Sequence, residues 1–298
     1  MNNNNSSTVL VAGATGFLGS EICRQLIAKN KKVKGLVRAT SDASKVAQLK
    51  NAGVETIEGD LKDKTSLEKA LQDVSTVIST VSCTFSRQAG DGIQTVDDEG
   101  QTNLINGAIA AGVSQFIFIS FCMMPGKWPL QTAKRTVEKR LVESGMNYTV
   151  LQPTYFMEAW LSPALGFDYP NARASIYGAG KNKVSWISLR DVAAFATASL
   201  DNPAAKNKMI ELGGPEALSP LEVVDIFEKA NGKKFDLQFV PEEALKAQQA
   251  GAQDPLSESF AALMLGVATG SEIDMKKTLK DFPVKLMTVN DYAKDRSI

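Results

Sequence analysis

Apolar positions in the first half of the chain fall into short unbroken runs, separated by stretches with helical spacing. Runs at 8–12, 33–37, 54–58, 76–81, 115–120 and 148–151 read as strands. Helical patterns lie between them at 43–51, 66–71 and 95–111, with a further helix ending at Leu141. Strands that are apolar throughout, rather than alternating, are buried on both faces, and helices between them supply the cover. The pattern predicts a doubly wound parallel sheet with right-handed crossovers. After Pro153 the regularity loosens. Short strand candidates stand at 174–177 and 184–187, a helix at 190–200 and a strand at 208–212. Ser219-Pro220-Leu221-Glu222 has the form of a capping box with proline at the first helical position, and opens a helix to about Lys229. The stretch 241–268 reads as helical, with starts at Pro241-Glu242-Glu243 and Asp254-Pro255.

Between the first strand and its helix stands Gly13-Ala14-Thr15-Gly16-Phe17-Leu18-Gly19. A glycine loop in this position is where a Rossmann fold holds a dinucleotide pyrophosphate. The glycines let the backbone turn sharply and approach the phosphates. The helix aims its free N–H groups and the positive end of its dipole at them. The expected fold class is therefore α/β: a Rossmann-type doubly wound parallel sheet over 8–155. A smaller C-terminal α/β lobe follows over 156–298, with segments returning to the main sheet.

Composition narrows the chemistry. A chain of 298 residues, 44% hydrophobic, can bury a substantial core. Lys+Arg and Asp+Glu both number 33, so no net charge draws it to nucleic acid or an anionic membrane. No apolar run reaches the length of a membrane span. Residues 1–7, Asn-rich, lack the basic and apolar parts of a signal peptide and read as a short disordered tail. Cys23, Cys83 and Cys122 form neither a disulfide framework nor a zinc spacing. A reducing cytoplasm is the expected location. With no histidine in the chain, His-based triads, His-ligated metals and imidazole acid/base catalysis are excluded.

The second strand ends in Leu36-Val37-Arg38, without the acidic residue that usually accepts the ribose hydroxyls of NAD. Arg38 can pair with a 2′-phosphate, with Lys34 or Lys45 assisting, which points to NADP rather than NAD. The bland alternative is a solvated arginine. After the third strand, Gly59-Asp60-Leu61 can address the adenine; Asp60 can equally cap the next helix. Thr80, Val81 and Ser82 end the fourth strand, where small residues let the backbone pass close to a ribose.

These segments resemble the NmrA-like family of atypical short-chain dehydrogenases/reductases. The resemblance extends over Ala111-Gly112-Val113, the strand from Phe116 to Ser120, Ala133-Lys134-Arg135-Thr136-Val137-Glu138 and the strand from Tyr148 to Thr154. It implies an NAD(P)-binding Rossmann fold. Family members include reductases of enones, quinones and phenolic ethers, and also non-catalytic redox-sensing regulators. It assigns cofactor contacts to Gly13, Thr15, Gly16, Phe17, Leu18, Gly19, Arg38, Asp60, Leu61, Thr80, Val81 and Ser82. Lys134, Pro153, Thr154, Tyr155 and Phe156 complete that set.

Lys134 falls on the lysine of the superfamily's Tyr-x-x-x-Lys pair, but the position four residues earlier is Leu130. The usual phenolic proton donor is missing. Relatives resembling isoflavone reductase also lack it and use the lysine itself. Lys134 is thus a candidate ribose anchor, a candidate acid/base, or both. Ser120 matches the catalytic serine position, and Tyr155 or Tyr177 could replace the phenol; each can instead simply pack. Cys83 or Cys122 could line the cleft, or both could be small apolar fillers. Met123-Met124, Trp128, Phe156-Met157 and Trp160-Leu161 suggest either an adaptable apolar pocket or a buried helix face. Two functions follow. One is an NADPH-dependent oxidoreductase acting on a small apolar enone, quinone or carbonyl compound. The other is a non-catalytic NADP(H)-sensing regulator that signals to a protein partner.

Overall fold

In the computed structural model, which describes residues 7–86 and 88–295, the strands expected in the first half appear with small shifts at their ends. Apart from Ser7, the expected N-terminal tail lies outside the described residues. The chain divides into two compact units. The first holds residues up to Ser120, Thr132–Leu151 and Val192–Ile210; the second holds Phe121–Gln131, Gln152–Asp191 and the remainder from Glu211.

In the first unit, β1 (Thr8–Ala12), α1 (Phe17–Ala28), β2 (Lys32–Val37), α2 (Ala43–Asn51), β3 (Glu55–Glu58), α3 (Lys64–Ala70) and β4 (Thr76–Ser79) alternate as the pattern predicts. Asp42 and Asp63 accept backbone N–H groups at the starts of α2 and α3, fixing where those helices begin. A π-helical turn, Ile93–Asp98, then runs straight into α4 (Glu99–Ala110). It is followed by β5 (Gln115–Ile119), α5 (Pro129–Val142) and β6 (Asn147–Pro153). The sheet has seven strands. The five pairings from β3 through β2, β1, β4 and β5 to β6 are all parallel. The seventh strand, Lys208–Leu212, extends the order beyond β6. The order 3-2-1-4-5-6 is that of a Rossmann sheet, and it reverses direction between β1 and β4. One face of the sheet is filled by Leu10, Ala12, Val77, Phe116 and Phe118 against Leu67, Leu71, Leu104, Ile105, Val137 and Leu141. These last residues come from α3 and its C-cap Leu71, α4 and α5. On α1, Ile22, Cys23 and Leu26 are buried.

The second unit is a smaller α/β assembly. Its helices begin with α6 (Met157–Trp160) and α7 (Leu189–Ala198), whose last seven residues belong to the first unit. Its sheet is formed by β7 (Phe167–Asp168), β8 (Arg173–Tyr177) and β10 (Asp236–Val240), in the order β10-β8-β7, with β9 being the Lys208–Leu212 strand above. Around it lie α8 (Pro220–Asn231), α9 (Glu242–Ala250), α10 (Pro255–Thr269), α11 (Lys276–Asp281) and α12 (Val289–Lys294). The Ser219/Glu222 capping box forms as predicted, and Asp254 caps α10. Residues 184–187, expected as a strand, make only isolated bridges: Val184 to Leu218 and Ser271, and Ile187 to Phe156. The strand β10 was not expected, because Asp236-Leu237-Gln238 breaks any apolar run and leaves only an edge pairing with β8.

Two acids of this unit are drawn in from solvent, Asp191 buried and Glu158 half-buried. Glu158 accepts from Ser188 Oγ at 2.6 Å and from the Leu189 N–H at 2.9 Å. Asp191, in the first turn of α7, accepts from the Met287 N–H at 2.9 Å. Burial pushes the Asp191 carboxyl up to about 6; the Met287 hydrogen bond opposes this and the charge of Glu158 adds to it. Folding therefore favours the protonated form. The group's contribution to stability is complete below about pH 4 and is lost as pH rises through about 6. Asp191→Asn keeps an acceptor for Met287 without the charge. Urea melts should show its stability relative to the native chain rising between pH 4.5 and 7.5, by at most about 3 kcal/mol. A gap that does not change with pH would show that Asp191 titrates normally.

Candidate functional site

The first-unit residues expected to bind cofactor follow the carboxyl ends of β1 to β4. Gly13 follows β1, Arg38 follows β2, Asp60 and Leu61 follow β3, and Thr80, Val81 and Ser82 follow β4. Ser120 follows β5, and Lys134 lies on α5. The sheet reverses its winding here, so the loops after β1 and β4 diverge and leave a crevice.

The turn after β1 depends on its glycines. Gly13 has φ of +84°, and its carbonyl accepts the Gly16 N–H at 2.9 Å. A Cβ on Gly13 would stand 2.5 Å from Thr80 Oγ1, and one on Gly19 would stand 2.1 Å from the Gly13 carbonyl oxygen. Backbone thus lies directly on backbone where α1 meets β1. The first turn of α1 has no side-chain cap and no acidic residue. Its N–H groups are left to an anion, which is the donor set a pyrophosphate requires. Thr15 and Leu18 are half-buried beside the turn, while Phe17 is 76% exposed with Lys45 Nζ 5.4 Å from its ring centre.

At the end of β2, Arg38 Nη1 donates to Asp91 Oδ2 at 2.6 Å. Lys62 Nζ and Ser86 Oγ bind the same carboxylate. Burial alone would raise the Asp91 pKa; the hydrogen bonds from Lys62, Ser86 and Arg38 outweigh it and hold the carboxyl down at about 2. Lys34, expected to assist Arg38, does not reach this end. It sits within β2, buried, and donates to the Gln72 carbonyl at 2.6 Å. Asp60 accepts the Lys62 N–H at 2.8 Å, and the helix cap it might have supplied comes instead from Asp63. Leu61 is buried, and its carbonyl accepts from Asn103 at 3.0 Å.

Lys134 is 4% exposed. Its ammonium lies 3.2 Å from Asp97 Oδ1, 3.5 Å from the Val81 carbonyl and 5.1 Å from the Phe118 ring centre. Asp97 is fully buried, and its other oxygen accepts the Cys83 N–H at 2.9 Å. Gln101 donates to the Val81 carbonyl at 2.9 Å and accepts from Ser79 Oγ at 2.8 Å. Asp97 belongs to the π-helical turn, where the Glu99 N–H reaches back five residues to Gln94 O. Neither Asp97 nor Gln101 stands out in the sequence. They share the helical spacing of Leu104, Ile105 and Ala108, but a carboxylate and an amide give no apolar signal at those positions. Ser120 is 6% exposed, and its Oγ has no hydrogen-bond partner among the described residues. A buried hydroxyl left in this way is suited to a ligand atom.

The other expected residues belong to the second unit. Pro153 ends β6, and its carbonyl accepts the Cys122 N–H at 3.0 Å. The Thr154 N–H donates to Leu212 O, and its hydroxyl to Ser185 O. Phe156 bridges to Ile187. Tyr155 does not offer its phenol as a replacement donor. The ring is buried, its hydroxyl donates to Leu263 O at 3.0 Å, and burial together with Cys122 pushes its pKa well above the ordinary phenol value. Tyr177 likewise donates to Leu165 O at 3.2 Å. Met157 and Leu161 are buried, and the Trp160 ring packs edge-on against Tyr155 and Tyr177 at 5.0 and 6.4 Å. Trp160 and Leu161 also line a cavity with Phe167, Tyr177 and Trp186, so this stretch packs within its unit and borders a void there. Cys83, Cys122 and Cys23 are all buried, and the Cys83 thiol is pushed up to about 12 by burial and then by Asp97. Among the described residues no helix is long and apolar enough to cross a membrane, and no cluster of acids and cysteines could hold a metal.

The NmrA-like family model matches residues 5–293, and the chain belongs to that family. It is 33% identical over 261 residues to the NAD(P)H azoreductase of Xenophilus azovorans, covering 86% of this chain and 84% of that protein. It is 31% identical over 247 residues to the photosystem II assembly factor Ycf39 of Synechocystis, covering 80% of this chain and 72% of that one. Among solved structures, it is similar to the Escherichia coli NADPH-dependent quinone oxidoreductase QOR2 complexed with NADPH. The TM-score is 0.77 at 25% identity, and the match covers 96% of this chain and 98% of that one.

The Gly13–Gly19 contact can be tested directly. Gly19→Ala should destabilise the chain by about 1–3 kcal/mol in urea melts and abolish dinucleotide binding by calorimetry. Gly53→Ala is the control: its φ is +91°, but an added Cβ meets nothing nearer than Ile27 at 3.9 Å. It should cost about 1–2 kcal/mol and leave binding intact. Normal binding by Gly19→Ala would remove the close approach from the account.

Proposed function

We propose that the protein is an NADPH-dependent oxidoreductase that reduces a small apolar enone, quinone or carbonyl compound. Its cofactor is NADP(H). The similarity to the azoreductase and to the NADPH-bound quinone oxidoreductase supports this reading, as do the uncapped start of α1 and the arginine that closes β2. The observation that carries it is the pairing, in one unit, of a buried lysine held by a carboxylate with a buried serine hydroxyl left without a partner.

Within this proposal, the N–H groups at the start of α1 bind the pyrophosphate, with Thr15, Phe17 and Leu18 forming the wall of the turn. Arg38 binds the 2′-phosphate. Asp60 and Leu61 border the adenine, and the backbone of Thr80, Val81 and Ser82 lines the ribose path. Pro153, Thr154 and Phe156 stay assigned to the cofactor by resemblance alone. When bound, NADPH supplies a hydride. The chain must supply orientation and a proton. Lys134 has three N–H donors. The Val81 carbonyl takes one, and the ion pair with Asp97 holds the ammonium in place without a hydrogen bond to Oδ1, which leaves donors for a ribose hydroxyl or a substrate oxygen. Ser120 Oγ–H can hydrogen-bond an acceptor oxygen and stabilise the negative charge that develops there. Tyr155 has no part in proton transfer.

The alternative, a non-catalytic NADP(H)-sensing regulator, is favoured by Leu130. It stands in the tyrosine position, buried, with its N–H donating to Ser259 Oγ at 3.1 Å. The similarity to an assembly factor points the same way. NADPH consumption over a panel of quinones, enones and aldehydes separates the two. Turnover is expected, and Lys134→Ala should reduce it at least about 100-fold while weakening NADPH binding far less. Silence across the panel with tight NADPH binding would favour the sensor. Arg38→Ala should weaken NADPH at least about tenfold and NADH about twofold or less; equal losses would contradict the 2′-phosphate assignment.

A further inference from the structure

Arg38 and Lys62 are the two cations at the ends of β2 and β3, and both already hold an anion. Asp91 lies on the loop after β4, its side chain only 3% exposed, with Arg38 on Oδ2 and Lys62 on Oδ1. Ser86 Oγ binds it as well. The loop is tied down beside it: Thr40 Oγ1 donates to Gln88 Oε1 at 2.5 Å, and the Asp91 N–H to the Gln88 carbonyl at 3.1 Å. Lys62 has a second acid nearby, with Asp60 Oδ2 at 3.8 Å. Among the described residues, these two cations are balanced by two carboxylates.

We propose that Asp91 is a specificity-determining residue of the cofactor cleft, its carboxylate holding the place on Arg38 and Lys62 that the 2′-phosphate of NADP(H) takes. This rests on the reading that NADP(H) binds at the 13–19 turn and Arg38. A phosphate monoester carries about −1.5 to −2 charges and three acceptor oxygens, against one charge and two oxygens for a carboxylate. It can therefore displace Asp91 from both cations. The neutral 2′-hydroxyl of NADH cannot, and it can donate to Asp91 where it stands. NADPH must break charge-assisted hydrogen bonds that NADH leaves intact. Asp91 thus narrows the preference for NADPH and ties that preference to movement of its loop. The hydrogen bonds from Lys62, Ser86 and Arg38 favour its ionised form.

The test compares the native chain with Asp91→Asn, which keeps the shape and removes the charge. Calorimetry with NADPH and NADH should show the NADPH/NADH affinity ratio rising at least tenfold in D91N, mainly through tighter NADPH. In the native chain, hydrogen exchange at residues 88–92 should speed up on adding 2′,5′-ADP and stay unchanged on adding 5′-ADP. The second measurement needs no variant, so a misfolded D91N leaves the inference testable. An unchanged or lower ratio in D91N would overturn the inference, as would slower exchange with 2′,5′-ADP; in either case native NADPH binding stands. Failure of the native chain to bind either dinucleotide would remove the cofactor reading, and the inference with it.

Discussion

The contact between the Gly13 carbonyl and Gly19 is the constraint on which the site depends. No side chain fits between them, so α1 starts as close to β1 as two backbones can approach. That places uncapped N–H groups beside the reversal point of the sheet. The parallel strand order then brings the ends of β2, β3 and β4 alongside. Local backbone chemistry and global topology agree on one edge of the sheet, and a cleft follows from that agreement.

The fold was largely legible because strands buried on both faces leave unbroken apolar runs. The runs in β1, β2, β4 and β5 mark their strands to within a residue or two. Caps were equally plain where Ser219, Glu222 and Asp254 stand at helix starts. What stayed hidden was half-exposed or out of phase. The edge strand Asp236–Val240 alternates too weakly to register, and residues 184–187 look like a strand but pair only through single bridges. Side-chain partners are harder still. Lys34 and Arg38 are four residues apart and both basic, yet one is anchored to the Gln72 carbonyl and the other to Asp91. Strand direction and register decide this, not charge.

The surroundings of Lys134 and Ser120 show the same division. The lysine and serine positions could be read from the resemblance, and so could the absent tyrosine. The buried partner of the lysine could not. A lysine at 4% exposure is costly unless it is paired. Asp97 meets that need while accepting the Cys83 N–H, so one carboxylate fixes both Lys134 and the chain leaving β4. The lysine and the start of the loop after β4 are therefore held through a single carboxylate, and losing it would release both.

The π-helical turn at Ile93–Asp98 runs into α4 without interrupting the buried stripe. Ile93, Val96 and Asp97 continue in helical spacing through Gly100, Gln101, Leu104, Ile105 and Ala108. Asp97 and Gln101 are the polar members of that stripe, and both hold the chain leaving β4, at Cys83 and Val81. One helix face therefore does two jobs along its length. Its far end is ordinary core, and its near end is a polar bracket on the strand end. A substitution that made the stripe apolar throughout would suit the core and strip away the bracket.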